Sequence, residues 1–120
     1  METPMPTQWC LVGNIVETRF AGVGGAEEKN GTPHFSGKTK VYCLPAQWGD
    51  GYEQIVVIGR HRRSRRFVKM VISSSWVTNW RAQVVYSPVV LNLLHEEFPR
   101  IWETREEVEA YVQSLNQPSA

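Results

Sequence analysis

The sequence predicts an α+β protein in which a five-stranded, strongly bent antiparallel sheet or a small barrel is followed by two C-terminal helices. Before Ser87, short segments rich in β-branched and aromatic residues alternate with turns rich in glycine and proline. After Ser87, the apolar residues recur at helical spacing. Strands followed by helices are typical of α+β folds, in which helices cover one face or one end of a sheet.

The first two predicted strands enclose a long loop. WCLVGNIVETRF (9–20) is apolar and β-branched, and Gly13 lies where a bulge or a close backbone approach would bend the strand. The segment 21–37 contains five glycines and no periodicity, which predicts a loop and not a phosphate-cradling motif. KTKVYCLP (38–45) is the second strand, and Pro45 ends it because proline donates no ladder hydrogen bond.

Three further strands are predicted at EQIVVIGRH (53–61), RFVKMVISS (66–74) and WRAQVVYS (80–87). A Gly-Asp-Gly turn precedes the third strand, and a short connection through residue 79 precedes the fifth. Alternation in the fourth strand predicts two faces, one with Phe67, Lys69 and Val71 and the other with Val68, Met70 and Ile72.

Both helices carry start signals. Ser87 is a candidate cap, with Pro88 at the first helical position, and Pro99 is expected to end the first helix. Thr104 and Glu107 form a capping-box pattern before the second helix. The apolar stripes are Val89, Val90, Leu93 and Leu94 in the first helix and Val108, Tyr111, Val112 and Leu115 in the second.

The length of 120 residues predicts one domain over 9–117, with an irregular N-terminal arm over 1–8 and a tail over 118–120. The N-terminus lacks the pattern of a secretory signal, and no apolar run approaches the roughly 18–20 residues of a membrane span. We therefore expect a cytoplasmic protein without a membrane partner.

Cysteines and histidines give no strong signal for a metal or cofactor. Cys10 and Cys43 each lie within an apolar run, where a thiol acts most simply as a small buried hydrophobe. His34, His61 and His95 are far apart in the sequence and no short ligand spacing is present. We expect no cofactor and no metal.

The segment RHRRSRR, residues 60–66, holds five of the nine arginines and a formal charge of +5, which leaves the rest of the chain at −4. Crowded guanidinium groups repel one another, and an anion such as phosphate relieves that repulsion. This pattern predicts an anion or nucleic-acid site formed by Arg60, His61, Arg62, Arg63, Arg65 and Arg66, with possible aromatic contacts from Trp48, Tyr52, Trp76 and Trp80.

Two other interpretations of the basic segment stay open. Arginines at a hairpin end protect a sheet edge from aggregation, and these could also lie against the acidic stretch from Glu96 to Glu109. The sequence pI of about 7.8 is below the value of about 9 that is typical of dedicated nucleic-acid domains.

The segment WGDGYE is the main candidate for acid-base chemistry. Asp50 and Glu53 could act in a shallow pocket if the fold brings them near His34 or His61. A tight turn with a hydrophobic anchor explains the same residues without chemistry. The sequence therefore favours a protein that is not an enzyme, while leaving a small enzyme as a third alternative.

Three blocks, WCLVGNIVE (9–17), KVYCLPAQWGDGYEQIVVIGRHR (40–62) and TNWRAQVVYSP (78–88), resemble segments of small bacterial proteins in the same order. That resemblance implies no activity or catalytic residue. The block order and the KVYCLP strand also resemble SH3-like barrels, which bind peptides and nucleic acids. The resulting hypothesis is a small binding module for nucleic acid or another phosphate-bearing ligand; the alternative is a protein-interaction module such as an immunity or accessory protein.

Overall fold

The computed structural model describes residues 8–17, 32–45, 53–96 and 102–116. These residues form β1 (Gln8–Ile15), β2 (Lys40–Pro45), β3 (Gln54–Arg60), β4 (Phe67–Ser73), a 3₁₀ helix (Ser74–Trp76), β5 (Val77–Val85), α1 (Pro88–Glu96) and α2 (Arg105–Asn116). The five strands make one antiparallel sheet in the order β4-β3-β2-β1-β5. The predicted α+β class, with five strands before two helices, is confirmed.

Several predicted features lie outside the described residues. They are the N-terminal arm up to residue 7, the end of the predicted first strand (18–20), the predicted glycine-rich loop as far as residue 31, most of the WGDGYE segment, Pro99 and the tail from residue 117. The first strand begins at Gln8 and ends at Ile15, before the predicted end at residue 20. Beyond the last pair, Ile15–Val77, the Val16 N–H still donates to the carbonyl of Trp76 (3.0 Å).

The connection from β4 to β5 bends the sheet strongly. These two strands are its opposite edges, and they run in the same direction, so the end of β4 and the start of β5 are opposite corners. A flat sheet would separate its edge strands by about 19 Å. Ser73 and Val77 are four residues apart, a span of at most about 14 Å. Among the described strands no ladder joins β4 to β5, so the sheet is bent but open and the barrel alternative is wrong.

A bulge on β5 explains why that strand starts earlier than predicted. The β1–β5 register shifts between Val12 and Asn14, and Asn79 takes a left-handed conformation with φ of 60°. This conformation places an extra residue within the strand instead of ending it. The Asn14 carboxamide oxygen accepts from Asn79 Nδ2 (3.1 Å) and from Arg81 Nη1 (2.7 Å). The predicted distortion at Gly13 is confirmed, while the predicted start of the fifth strand at residue 80 is wrong.

Both faces of the sheet are covered, each by one helix. The α2-side core contains Leu11, Ile15, Phe35, Val41, Cys43, Ile55, Val57, Ile72 and Val77 with Val108 of α2. The α1-side core contains Cys10, Leu44, Val56, Ile58 and Val85 with Val90, Leu91 and Leu94 of α1. The predicted alternation in β4 is confirmed, because Val68, Met70 and Ile72 face the first core while Phe67 and Val71 face the second.

The predicted caps of both helices are present. The Ser87 hydroxyl accepts from the Val90 N–H (3.3 Å), and the Thr104 hydroxyl accepts from the Glu107 N–H (3.2 Å). At the other end of α1, Lys69 of β4 donates to the carbonyl of Leu93 (2.8 Å). This lysine stabilises α1 because the last carbonyls of a helix lack partners within it.

Gly13→Ala is expected to lower the free energy of unfolding by about 1–3 kcal/mol. A β-carbon at Gly13 would overlap Val77 Cγ1 and lie 3.1 Å from the carbonyl oxygen of Thr78. Urea unfolding measures the loss, and Thr78→Ala on the exposed side of β5 is the control, with an expected change within about 0.5 kcal/mol. A Gly13→Ala protein as stable as the parent would show that β5 does not press against Gly13.

Candidate functional site

The arginine hairpin, residues 60–66, joins β3 to β4. Its ends are closed by the His61 N–H, which donates to the Arg66 carbonyl (2.9 Å), and by the Arg65 N–H, which donates to the His61 carbonyl (3.0 Å). Arg65 adopts a left-handed conformation with φ of 64°. These bonds fix the backbone of the loop, so its arginine side chains start from defined positions.

Arg62 points inward and binds the segment before β2. Its Nη1 donates to the carbonyl of Thr32 (2.6 Å), and its backbone N–H donates to the carbonyl of His34 (2.8 Å). The side chain is half-buried. Arg62 therefore connects the hairpin to residues 32–37 and is less available for a ligand than its neighbours.

His34 and His61 make a direct contact that the sequence did not reveal. His34 Nδ1 lies 3.2 Å from His61 Nε2, and the Arg63 N–H lies 3.1 Å from His61 Nδ1. Because an N–H must donate, His61 Nδ1 is an acceptor; its proton is then on Nε2 and is donated to His34. The two rings extend the connection between the hairpin and the preceding segment.

The segment 32–37, which supports the hairpin, is itself attached to the core of the protein. Phe35 is completely buried in the α2-side core, where the absent side chain of Gly59 leaves room for its ring. The buried Thr32 hydroxyl accepts from the Phe35 N–H (3.0 Å) and the His34 N–H (3.3 Å). An aromatic anchor and a hydroxyl-centred turn together give the hairpin a rigid support.

The other four arginines of the hairpin are exposed: Arg60, Arg63, Arg65 and Arg66. The Arg60 guanidinium lies over the ring of Phe67, 5.1 Å from its centroid. Within residues 8–17, 32–45, 53–96 and 102–116, no carboxylate lies at ion-pair distance from any hairpin arginine, and the ion pairs present are Lys38–Glu17 and Arg105–Glu109. The positive charge of the hairpin is therefore not neutralised by described acids.

Helix α2, which contains Glu106, Glu107 and Glu109, does not cover the hairpin. α2 packs against β1 and β5 on the α2-side core, whereas the hairpin joins β3 and β4. Its acids make other contacts: Glu109 pairs with Arg105 (2.6 Å), and Glu107 accepts from the Glu103 N–H (3.1 Å). The acids of α2 and the hairpin arginines therefore lie on different sides of the sheet, whereas Glu96, at the end of α1, lies near the start of β4 without pairing with a hairpin arginine.

Two more cations lie on the face of the sheet that α1 partly covers. Tyr42 and Ile58 are paired across β2 and β3, so Lys40 and Arg60, each two residues away, project from that same face at the same end. Lys40 Nζ lies 5.2 Å from the centroid of the Tyr42 ring. Arg81, opposite Val12 in β1, is on this face too. Lys40 extends the basic surface of the hairpin onto β2, whereas the Arg81 guanidinium is bound by Asn14.

The four aromatic residues predicted to assist binding are not gathered at the hairpin by the described structure. Trp48 and Tyr52 lie outside the described residues. Trp76 is 38% exposed just beyond Ser73, and β4 separates Ser73 from the hairpin by about 20 Å. Trp80 lies on β5, at the other edge of the sheet, against the α2-side core. The aromatic residues next to the arginines are instead Phe67 and Tyr42.

The acid-base and metal alternatives receive no assembled site in the described residues. Asp50 lies outside them, and Glu53 precedes β3 while His61 follows it, about 26 Å apart along an extended strand. No group of three potential metal ligands occurs in the described residues. The two imidazoles of His34 and His61 have only arginines as charged neighbours in the hairpin, which disfavours a bound cation.

Both cysteines are buried thiols on opposite faces of the sheet. Cys10 belongs to the α1-side core and Cys43 to the α2-side core, so their side chains point apart and form no disulfide. Burial raises the pKa of Cys10 to about 12 and also raises the pKa of Cys43. Thiolate chemistry is therefore disfavoured at both positions.

No protein-family model, curated protein or solved structure matches this chain. The resemblance to small bacterial proteins stays a prediction, as does the cytoplasmic location; the described strands do not form the closed barrel that the resemblance to SH3-like barrels implied. Neither helix in the described residues has the length and apolar content needed to cross a bilayer.

Arg62→Met is expected to lower the free energy of unfolding by about 1–2 kcal/mol, because the Thr32 carbonyl loses a charge-assisted donor. Arg63→Met, in the same hairpin, is the matched control, with a change within about 0.5 kcal/mol because its side chain is exposed. Urea unfolding of both variants makes the comparison. Equal losses would contradict the division between a supporting and an exposed arginine.

The stability of the protein is expected to fall above pH 9 because of Cys10. Its thiol ionises in the unfolded chain near the ordinary pKa of 9.0 but in the folded protein only near about 12. Between these values the unfolded state binds fewer protons, so the free energy of unfolding decreases by about 1.4 kcal/mol per pH unit for this group. Urea unfolding at pH 8 and pH 10 should show that the free energy of unfolding decreases less in Cys10→Ala than in the parent. Equal decreases in both proteins would contradict the assignment.

Proposed function

We propose that this chain is a binding module for nucleic acid, or for another polymer that carries phosphate, and that the arginine hairpin is its principal contact. The observation that carries the proposal is the exposure of Arg63, Arg65 and Arg66 without a carboxylate partner among the described residues. Three guanidinium groups within four residues repel one another, and phosphate oxygens relieve this repulsion.

The rigidity of the hairpin supports binding over simple solvation. Its backbone is fixed by the His61–Arg66 and Arg65–His61 hydrogen bonds, and Arg62 and His61 attach it to residues 32–37. A loop that is already ordered loses less conformational entropy when its side chains bind a ligand. The hairpin therefore offers its charges in a prepared arrangement.

The extent of the basic surface favours a polymer over a single phosphate group. Arg60 and Lys40 lie on the neighbouring strands β3 and β2, on the same face of the sheet. Neighbouring strands are about 4.8 Å apart, so these cations continue the surface of the hairpin onto β2. A chain of phosphates could contact them and the hairpin together, whereas one phosphate could not.

The charge distribution favours one orientation when a polyanion approaches the protein. The acids of α2, among them Glu106 and Glu109, are exposed on the opposite side of the sheet from Arg60 and Lys40. A polyanion is repelled by one side and attracted by the other, which raises productive encounters at low salt. A net charge of only +1 is therefore compatible with binding at one face.

A protein-interaction module is the second candidate, and one observation favours it. Tyr86 and Val89, at the start of α1, are 79% and 55% exposed. Large apolar side chains next to each other on a surface are common at protein interfaces. This patch is small, and Val89 is also close to Phe67 at the end of the arginine hairpin, so Tyr86 is the residue that tests this function independently of the hairpin.

The proposal is tested by fluorescence anisotropy with labelled single-stranded and duplex oligonucleotides over a series of salt concentrations. We expect salt-sensitive binding by the parent, because cations that contact phosphate release counterions. Replacing Arg63, Arg65 and Arg66 with alanine should weaken binding at least tenfold and reduce the slope of log K against log salt by about 2–3. Arg62 is kept because it supports the fold.

Single variants supply the control for net charge. Arg63→Ala and Arg105→Ala each remove one positive charge, but Arg105 lies at the start of α2, on the other side of the sheet. Only Arg63→Ala should weaken binding. No binding by the parent at low salt, or equal weakening by both variants, would refute the proposal; in the first case a protein partner and the Tyr86–Val89 patch become the next subjects.

A further inference from the structure

A groove of about 590 Å³ lies beside the arginine hairpin, between β4 and α1. Its walls are formed by Phe67 of β4 and by Val89, Asn92, Leu93, His95 and Glu96 of α1. Phe67, the first residue of β4, follows directly after the last arginine of the hairpin. The groove and the basic surface therefore meet at one aromatic ring.

The walls of the groove combine two kinds of surface. Phe67, Val89 and Leu93 are apolar, whereas Asn92, His95 and Glu96 place hydrogen-bonding groups at the edge. An unpaired nucleobase has the matching construction, with flat apolar faces and a polar rim. A groove of this composition can stack a base on the ring and bind its edge from the helix.

The position of Arg60 connects this groove to phosphate binding. Its guanidinium lies 5.1 Å from the centroid of the Phe67 ring, so a phosphate on Arg60 would be within one nucleotide of a base at Phe67. The Glu96 carboxylate repels phosphate from the groove itself, while it can accept hydrogen bonds from the amino group of a base. Arg60 therefore favours the phosphate of a nucleotide on its side of Phe67, and Glu96 favours the base in the groove.

The geometry points to single-stranded nucleic acid as the preferred ligand, with an unpaired base in the Phe67–α1 groove and the adjoining phosphates on the arginine hairpin. This inference rests on the proposed function. A duplex keeps its bases stacked and paired, so it can use the arginines but not the groove. Single strands should accordingly bind more tightly than duplexes of the same sequence and length.

Two groove variants test this assignment by anisotropy with a labelled single strand and its duplex. Phe67→Leu keeps an apolar residue at the start of β4 but removes the stacking ring, and Asn92→Ala changes an exposed helix position. Phe67→Leu should weaken single-strand binding by about fivefold to a hundredfold, and Asn92→Ala by a few-fold, while duplex affinity stays within twofold. Tyr86→Leu removes an exposed aromatic ring outside the groove and is the matched control, with no change for either ligand.

The outcomes separate this inference from the function on which it rests. If the parent binds neither ligand, the proposed function fails, and the groove assignment fails with it. If the hairpin triple variant loses both ligands while Phe67→Leu and Asn92→Ala bind like the parent, only the groove assignment is overturned. Equal loss of single-strand and duplex binding in Phe67→Leu also overturns it, because the ring would then support only the arginines. Thermal unfolding confirms that each variant is folded, and Asn92→Ala decides the test if Phe67→Leu is not.

Discussion

The connection between β4 and β5 is the constraint on which the rest of this structure depends. Three residues, Ser74–Trp76, join opposite corners of a five-stranded sheet, so the sheet must curl until those corners approach. The curl needs a distortion on the β1–β5 side, which Asn79 and the bare backbone of Gly13 provide. The curled sheet has two cores, one on each face, and each core is completed by its own helix.

The arginines form two groups: some bind other residues within the fold, and others are exposed. Arg62 and Arg81 use their guanidinium groups inside the fold, on the Thr32 carbonyl and the Asn14 carboxamide. Arg63, Arg65 and Arg66 are exposed on a loop that Arg62 and His61 keep in place. A cluster that looks uniform in the sequence therefore contains both support and candidate ligand contacts, and conclusions drawn from its total charge alone would overstate the number available for binding.

Local patterns predicted the fold well where each element depends on its own residues. The caps at Ser87 and Thr104, the alternation in β4 and the distortion at Gly13 follow from short-range chemistry. The start of β5 was wrong because a left-handed Asn79 continues a strand only when a partner strand accommodates the bulge. The contact between His34 and His61 joins residues 27 positions apart. The groove at Phe67 exists only because α1 packs on β4. Neither feature can be predicted from a pattern of neighbouring residues. The position of the arginines was predictable, and the identity of their neighbours was not.

Charge segregation across the sheet gives the protein a behaviour that its net charge hides. At a formal charge of +1, a protein with evenly mixed surface charges would bind only weakly to a cation exchanger or an anion exchanger. Here four exposed arginines, Arg60, Arg63, Arg65 and Arg66, are at the hairpin, while α2, on the other side of the sheet, exposes three carboxylates, Glu106, Glu107 and Glu109, against one arginine, Arg105. A cation exchanger meets the first side and an anion exchanger the second, so both resins should retain the protein, each holding it in the opposite orientation.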